Sequence, residues 1–498
     1  IGVWAGAEHR HGREPRAMYQ ETRAPEKGDS GTMGGTLRYA TEVAAKPVAF
    51  TAPAWAHKFP KCSDFGRERH PQLRFGGWQW VIEYGGVKNT YDDAEEIRDE
   101  LLRIIWGMWD HAKNHCPKLA EEAKDYRITW ISHVVGKRES RRLIGDYVMT
   151  EHDIRPDRLF EDRVSYGGWG VDLHPPMGFY DPGPPATFSH KEKFSVPLRS
   201  LYSKNVANLM MAGRDISVSH AALGATRVMV TCGLQGQAAG TAAALCKVHN
   251  TTPRGLYQSY ITELQQQLLK DGCYLIDLPN SDPNDLALGA KVKASSFSPP
   301  VPISAKNGRK SHPLGCHRAV MFKVAGPEIK KIALYLESES AAPIEAKLTL
   351  RKAAELGNFS STKDLATARA AVPPKSKDWV EFELNAAVQP GYYYVFLPKT
   401  PQLSWWLFDV KPADTFRAYG TGTTWNPMSD CYRFRLDPPG PSEVAAGAKR
   451  PEHRLETMFV PENVVNGFAR AIRAWPNSWR PEPGKTLPQW IELDFGRE

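Results

Sequence analysis

No run of eighteen apolar residues occurs in the 498-residue chain, which excludes a helical membrane span. No block of lysine and arginine stands out beyond the short KRESRR at 137–142, and a net charge of +8 is small for this length. Nucleic acid is therefore not an expected partner. The seven cysteines, at 62, 116, 232, 246, 273, 316 and 431, include no CxxC and no Cys/His spacing typical of a metal site. No metal ligands are expected, and the odd count cannot close a complete disulfide framework. No pair of carboxylates marks plausible strand ends, which removes support for a glycoside hydrolase. The dinucleotide fingerprint G-x-G-x-x-G after a first strand is also missing.

What remains is globular, with 41% hydrophobic and 24% charged residues and length for about three domains. The most informative stretch is Asn208–Cys246, NLMMAGRDISVSHAALGATRVMVTCGLQGQAAGTAAALC. Its apolar run Leu209–Ala212 is the length of a buried strand. Gly213-Arg214-Asp215 breaks that run, and from about Val228 the pattern turns helical, with small residues at Gly236, Ala239, Gly240 and Ala243. A strand, a glycine turn and a helix of small residues suit close approach to a flat polar ligand. A helix N-terminus there can receive an anion or carbonyl oxygen.

The phrases AGRDIS, HAALGATRVM and GQAAGTAAAL, in this order and spacing, resemble the C-terminal FAD-binding segment of bacterial FAD-dependent oxidoreductases. These are flavoproteins of the glutathione-reductase-like fold, related to the fumarate reductase type. Gly12-Arg13-Glu14 and Thr32-Met33-Gly34 are similar to the family's approach to the flavin, and the LQQQLLKDG segment to its closing helix. The resemblance implies an α/β FAD-binding domain, incomplete at its N-terminus, formed by residues 1–39 and 200–280. Residues 40–199 would be an α+β substrate-side insertion. The chain reads as a piece of a longer protein, because GVWAGAE and LDFGRE both fall in mid-pattern.

Within the insertion, DDAEEIRDELLRIIWGMWDHAKNH predicts an amphipathic helix with Leu101, Ile104, Ile105, Met108 and Trp109 as its core stripe. Aromatic residues, among them Trp55, Trp78, Trp80 and Tyr84, crowd the segment before it. Ile128–Val135 reads as a strand followed by the charges Arg138, Glu139, Arg141 and Arg142. Such charges commonly form a solvated or mutually paired cluster. The resemblance instead places Arg138 at the active-site side, holding a carboxylate, hydroxyl or flavin oxygen. In VSYGGWGVDLHPP, Asp172 and His174 share one side of an extended segment, and two prolines follow the histidine. His174 is either a satisfied structural histidine or the group that moves the proton accompanying hydride transfer. His220 is its rival, able to bond the isoalloxazine edge.

The same resemblance implies Gly213, Arg214, Asp215, Leu223, Gly224, Arg227, Met229 and Gln237 as cofactor contacts. Asp215 would meet a ribityl hydroxyl, Arg227 and the helix from Val228 would meet charge at the N1–C2=O edge, and Leu223 and Met229 would pack on the ring. RGLYQSYITELQQQLLKDG predicts a further helix ended by Gly272, then a short strand. Beyond Leu278 the chain changes to an Asn/Asp/Ser/Pro linker and then to strand-like runs, which predict an all-β sandwich over 284–440. Tyr392–Tyr394, Trp405 and Trp406 are core aromatics or a sugar-stacking platform. ENVVNG and PQWIELDFG resemble the opening of a discoidin-like module over 441–498.

The function implied is FAD-dependent hydride transfer with a small-molecule or glycan substrate and FAD as cofactor. The alternative is an exported carbohydrate-binding or surface protein with a vestigial flavin domain. The β region favours a periplasmic or extracellular location over a cytoplasmic one.

Overall fold

A computed structural model describes residues 1–66, 68–74, 80–155, 158–188, 193–298, 311–354, 356–408, 415–428, 430–438, 459–470 and 477–496. Trp78 and residues 441–458 and 471–476 of the expected discoidin-like segment lie outside this set. The chain divides into two compact units, Ile1–Ile154 with Phe160–Leu264, and Arg155–Leu159 with Gln265–Glu498. No helix among the described residues is long and apolar enough to cross a membrane.

In the first unit the expected amphipathic helix forms as α1, Ala94–Asp110, with Glu95 and Glu96 in its first turn where the helix dipole favours acids. Its stripe Leu101, Ile104, Ile105, Met108 and Trp109 is buried and packs with Leu37, Ile82, Phe65 and Phe179. The helix then widens into a π turn, His111–His115. Lys113 there turns inward and donates from Nζ to the carbonyls of Ala123 at 2.7 Å and Tyr126 at 3.0 Å. The strand expected over 128–135 is shorter and earlier, Tyr126–Ile131, paired antiparallel with Tyr39–Val43. Val135 is buried beyond its end, where Gly136 bridges Thr36.

The stretch 208–246 departs from expectation in two ways. Leu209–Ala212 is no strand; only Met210 pairs, in a single bridge to Tyr202. The helical part is two helices, α2 over His220–Thr226 and α3 over Met229–Val248. Val228 in extended conformation separates them. The next helix, α4, spans Pro253–Lys270 with non-helical dihedrals at Tyr260, and Gly272 follows at φ +83°. Residues 273–275 form no strand.

The second unit contains two antiparallel sheets. One runs Ser311–Leu314, Thr400–Trp406, Glu328–Ser338 and Lys377–Ala387, with Phe434–Asp437 also pairing on Glu328–Ser338. The other runs Asp364–Val372, Ile344–Ala353, Gly391–Leu397, His317–Val324, Phe416–Gly420 and Trp425–Met428. Leu334 and Phe382 of the first sheet and Phe322, Leu350 and Val395 of the second share one core, as the alternation of apolar residues requires. Tyr393, Tyr394 and Trp405 are core residues, and Tyr392 is buried with them, so these rings offer no sugar platform. Trp406 is partly covered, with the Lys377 ammonium 3.5 Å from its ring centroid. Lys291–Ala294 pairs not with these sheets but with Ile491–Asp494, so the start of the expected sandwich belongs with the C-terminal piece.

Phe382 lies fully buried between the sheets. Phe382→Ala is expected to destabilise the second unit by about 3–5 kcal/mol, read as a fall in its urea midpoint; an unchanged midpoint would contradict the shared core.

Candidate functional site

Arg142 is the first element of a buried charge network. It follows the short loop after Gly136 and its side chain is wholly enclosed. A buried guanidinium must satisfy its donors within the protein. Nε donates to Val218 O at 3.0 Å, and Nη2 to Gly12 O at 2.7 Å and to Glu14 Oε1 at 2.9 Å. Nη1 donates to Glu139 Oε1. Gly12 can present its carbonyl there because it adopts φ +78° and any Cβ would sit 2.2 Å from Asp29 O.

Glu14 and Glu139 pass this fixation to α2. Glu14 Oε2 accepts the His220 N–H at 2.9 Å, and Ser219 Oγ accepts the Ala222 N–H at 3.1 Å, so the first turn is capped twice. Glu139 Oε2 lies 2.9 Å from His220 Nδ1 and accepts the Met33 N–H at 3.0 Å. Burial opposes the Glu139 charge, but His220 and then Arg142 outweigh it and hold the carboxyl below its ordinary range. Within the RESRR cluster Glu139 pairs with Arg142 while Arg138 pairs outside it with Glu83, and all three are buried rather than solvated.

The residue before Glu139 opens a second branch. Arg138 Nη1 donates to Gly34 O at 2.7 Å, and Nη2 lies 2.8 Å from Glu83 Oε1. The Met33–Gly34 backbone therefore joins the branches, giving an N–H to Glu139 and a carbonyl to Arg138. Glu83 Oε1 touches His174 Nδ1, and His174 Nε2 lies 3.1 Å from Asp172 Oδ1. Asp172 Oδ2 accepts from Arg227 Nη2 at 3.1 Å and from Trp169 Nε1 at 3.3 Å. Burial raises the cost of the Asp172 charge, but His174 and Arg227 keep its carboxyl below the ordinary value. Burial pushes the Arg138 guanidinium down, and burial together with the like charge of Arg138 does the same to Arg227.

Gly224 sets how α2 meets this branch. A Cβ there would come 2.8 Å from Asp172 N and 2.9 Å from Asp172 O, both backbone atoms. Only glycine lets the helix lie against the segment that carries Asp172 and His174.

Several polar atoms of this branch stay without aligned partners. Arg227 Nε is buried with no hydrogen bond. The His174 contacts to Glu83 and Asp172 are close but poorly directed, leaving Glu83 Oε1, Asp172 Oδ1 and His174 Nδ1 without a geometric hydrogen bond. Buried polar atoms without partners call for an explanation, and a bound ligand is one that would complete the bonding. A separate cavity of about 300 Å³ is lined, among the described residues, by His11, Ser30, Lys88, Tyr91, Ser140, Arg141 and others.

The structure therefore joins Arg138, His174 and Arg227 in one branch and brings His220 to its neighbour. The other expected contacts scatter. Gly213, at φ +108°, donates its N–H to Gln235 Oε1 at 2.9 Å. Arg214 is exposed and bonds Lys137 O. The Asp215 backbone carbonyl accepts from Leu143 N at 2.9 Å, and burial pushes its carboxyl up. Leu223 is fully buried, whereas Met229 is 90% exposed at the start of α3, so the two do not pack on one surface. Gln237 is exposed on α3. Sequence reasoning missed Glu83, whose only signal is an acid set between Ile82 and Tyr84 in an apolar run. It also missed that Cys62, His70, His111 and Cys116 converge elsewhere in the unit, contrary to the expectation of no metal ligands.

Residues 1–268, more than half of the chain, match the family described as FAD dependent oxidoreductase, and the chain belongs to that family. FAD is the cofactor that this membership implies. A search of curated proteins finds no match. The unpaired Arg227 donor beside Gly224 and Asp172 fits a flavin, which presents ring acceptors and a donor along one edge.

Two outcomes follow for stability. Arg142→Ala leaves Glu14 and Glu139 buried without their cation, and should cost about 3–5 kcal/mol in chemical unfolding; a loss of a few tenths would show that the network does not hold the fold. Because Asp172 and Glu139 titrate below their ordinary values, the unfolded chain takes up protons first as pH falls through about 4. Stability contributed above that pH is lost below it. Asp172→Asn should therefore differ most from the parent near neutrality and converge on it in acid; a gap that widens in acid would refute this sign.

Proposed function

We propose that the chain exchanges a hydride between a carbon of a small organic substrate and FAD, using the Arg138–Glu83–His174–Asp172–Arg227 branch as its reactive wall. The observation that carries this reading is the burial of five ionisable side chains in one unbroken series of contacts, the most exposed side chain being 11% open. Each buried ion costs several kcal/mol to desolvate, and this series, unlike the Arg142 network, keeps buried atoms without an aligned hydrogen bond. Ionisable groups gather in this way where chemistry uses them.

Bound FAD supplies a two-electron centre that accepts or gives a hydride at N5. The roles of the chain's own residues follow from position. Arg227, held by Asp172, turns its spare Nε–H to an acceptor on the flavin edge. His174 carries the proton that leaves or joins the substrate oxygen or nitrogen, and Glu83 and Asp172 on its two sides stabilise the ring when it is charged. Arg138, fixed by Gly34 O and Glu83, orients the substrate by its guanidinium. His220 acts by position, holding Glu139 and through it Arg142.

The test is anaerobic mixing with alcohols, amines and hydroxy acids, followed at the flavin absorption bands. The parent protein should bleach with one donor class. His174→Gln should bleach about 10²–10⁴-fold more slowly with an unchanged resting spectrum. A parent without flavin absorption, or a variant as fast as the parent, sinks the proposal.

A further inference from the structure

Cys62 opens a short 3-10 turn, Cys62–Asp64, and His70 lies in the irregular segment that follows. His111 begins the π turn after α1, and Cys116 ends it with its N–H on His111 O at 2.7 Å. These two regions are brought together so that one donor atom from each of the four side chains lies within 4.8 Å of every other. Cys62 Sγ is 3.8 Å from Cys116 Sγ and 3.6 Å from His111 Nε2, and Cys116 Sγ is 3.5 Å from His70 Nε2.

Those separations are informative because tetrahedral coordination fixes them. With metal–sulfur bonds of about 2.3 Å and metal–nitrogen bonds of about 2.0–2.1 Å, the edges of the tetrahedron are about 3.8 Å for S···S and about 3.6 Å for S···N. The sulfurs are much too far apart for a disulfide, whose bond is about 2.05 Å. The imidazoles are also turned the right way. His111 Nδ1 lies 2.7 Å from Phe59 O and His70 Nδ1 3.1 Å from Pro71 O. A backbone carbonyl accepts a hydrogen bond, so each ring carries its proton on Nδ1 and points an Nε2 lone pair at the sulfurs. Phe65 packs edge-on against both rings, with centroids 4.8 Å from His111 and 5.4 Å from His70, and limits the access of water.

We propose that Cys62, His70, His111 and Cys116 bind one zinc ion in a closed Cys₂His₂ site. Two thiolates and two imidazoles in a tetrahedron select zinc among the common divalent ions. Four protein ligands leave no position for substrate, so the ion is structural. It fastens Cys62 and His70 to the end of α1, and π turns of this kind recur where a helix must redirect side chains to a site. Neither the flavin nor the Arg138 branch contributes a ligand, and the inference stands whether or not hydride transfer is the reaction.

Elemental analysis of the full-length protein, purified without chelator, should find one equivalent of zinc per chain. Cys116→Ala should lose that equivalent, and Cys246→Ser, on α3, should keep it. Should Cys116→Ala fail to fold, cobalt(II) exchanged into the parent protein supplies the test, because tetrahedral thiolate ligation gives intense visible d–d bands and a sulfur-to-cobalt charge-transfer band. A parent protein free of metal, a Cys62–Cys116 disulfide by mass spectrometry, or a cobalt spectrum of six oxygen and nitrogen ligands would each overturn the proposal.

Discussion

A guanidinium that cannot reach water governs the N-terminal unit. Arg142 has to find acceptors inside the protein, and it finds them on segments far apart in sequence: Gly12 and Glu14, Glu139, and Val218. The two carboxylates are then committed to a second duty. Glu14 receives the first N–H of α2, Glu139 receives Met33 and faces His220, and the turn at Gly12 exists to deliver a carbonyl. Replacing such an ion network with apolar side chains often stabilises a protein. Its presence here is better explained by geometry: fixed charges define where the neighbouring side chains must stand.

What stands there is the Arg138 branch, and its chemistry differs from that of the Arg142 branch. Every nitrogen of Arg142 has an aligned partner, whereas the Arg227, His174, Glu83 and Asp172 side chains hold buried atoms that have none. One branch is fully bonded and acts as a frame, and the other holds buried atoms that no aligned hydrogen bond satisfies. Gly224 separates the two by the width of a missing methyl group, since α2 belongs to the frame and Asp172 to the other branch.

The sequence made local features legible and hid distant ones. The stripe on α1 and the strands around Gly391–Leu397 follow from periodicity, because burial on one face or on both writes itself into neighbouring residues. The same reading failed at Leu209–Ala212, where an apolar run of strand length has no partner beyond one bridge to Tyr202. It left the aromatic cluster undecided because Gly391–Leu397 lies between two other strands and is buried on nearly every residue, which a stacking surface would resemble in composition. His174, Arg138 and Arg227 are singled out by wording shared with a family, and the structure joins them in one series of contacts; Glu83, which links them, carries no such wording. The four residues Cys62, His70, His111 and Cys116 escaped for the same physical reason: their spacing is set by a loop and a π turn folding together, not by a motif.

The two units own separate cores: one is built around α1, and the other lies between two sheets. Cooperativity follows a core, so two cores give heating or denaturant two structures to melt, and separate transitions are the expected outcome. A single midpoint for the whole protein then has no thermodynamic meaning. The fluorescence of Trp405, sealed among the sheets, follows the second event, and that of Trp109 beside α1 follows the first.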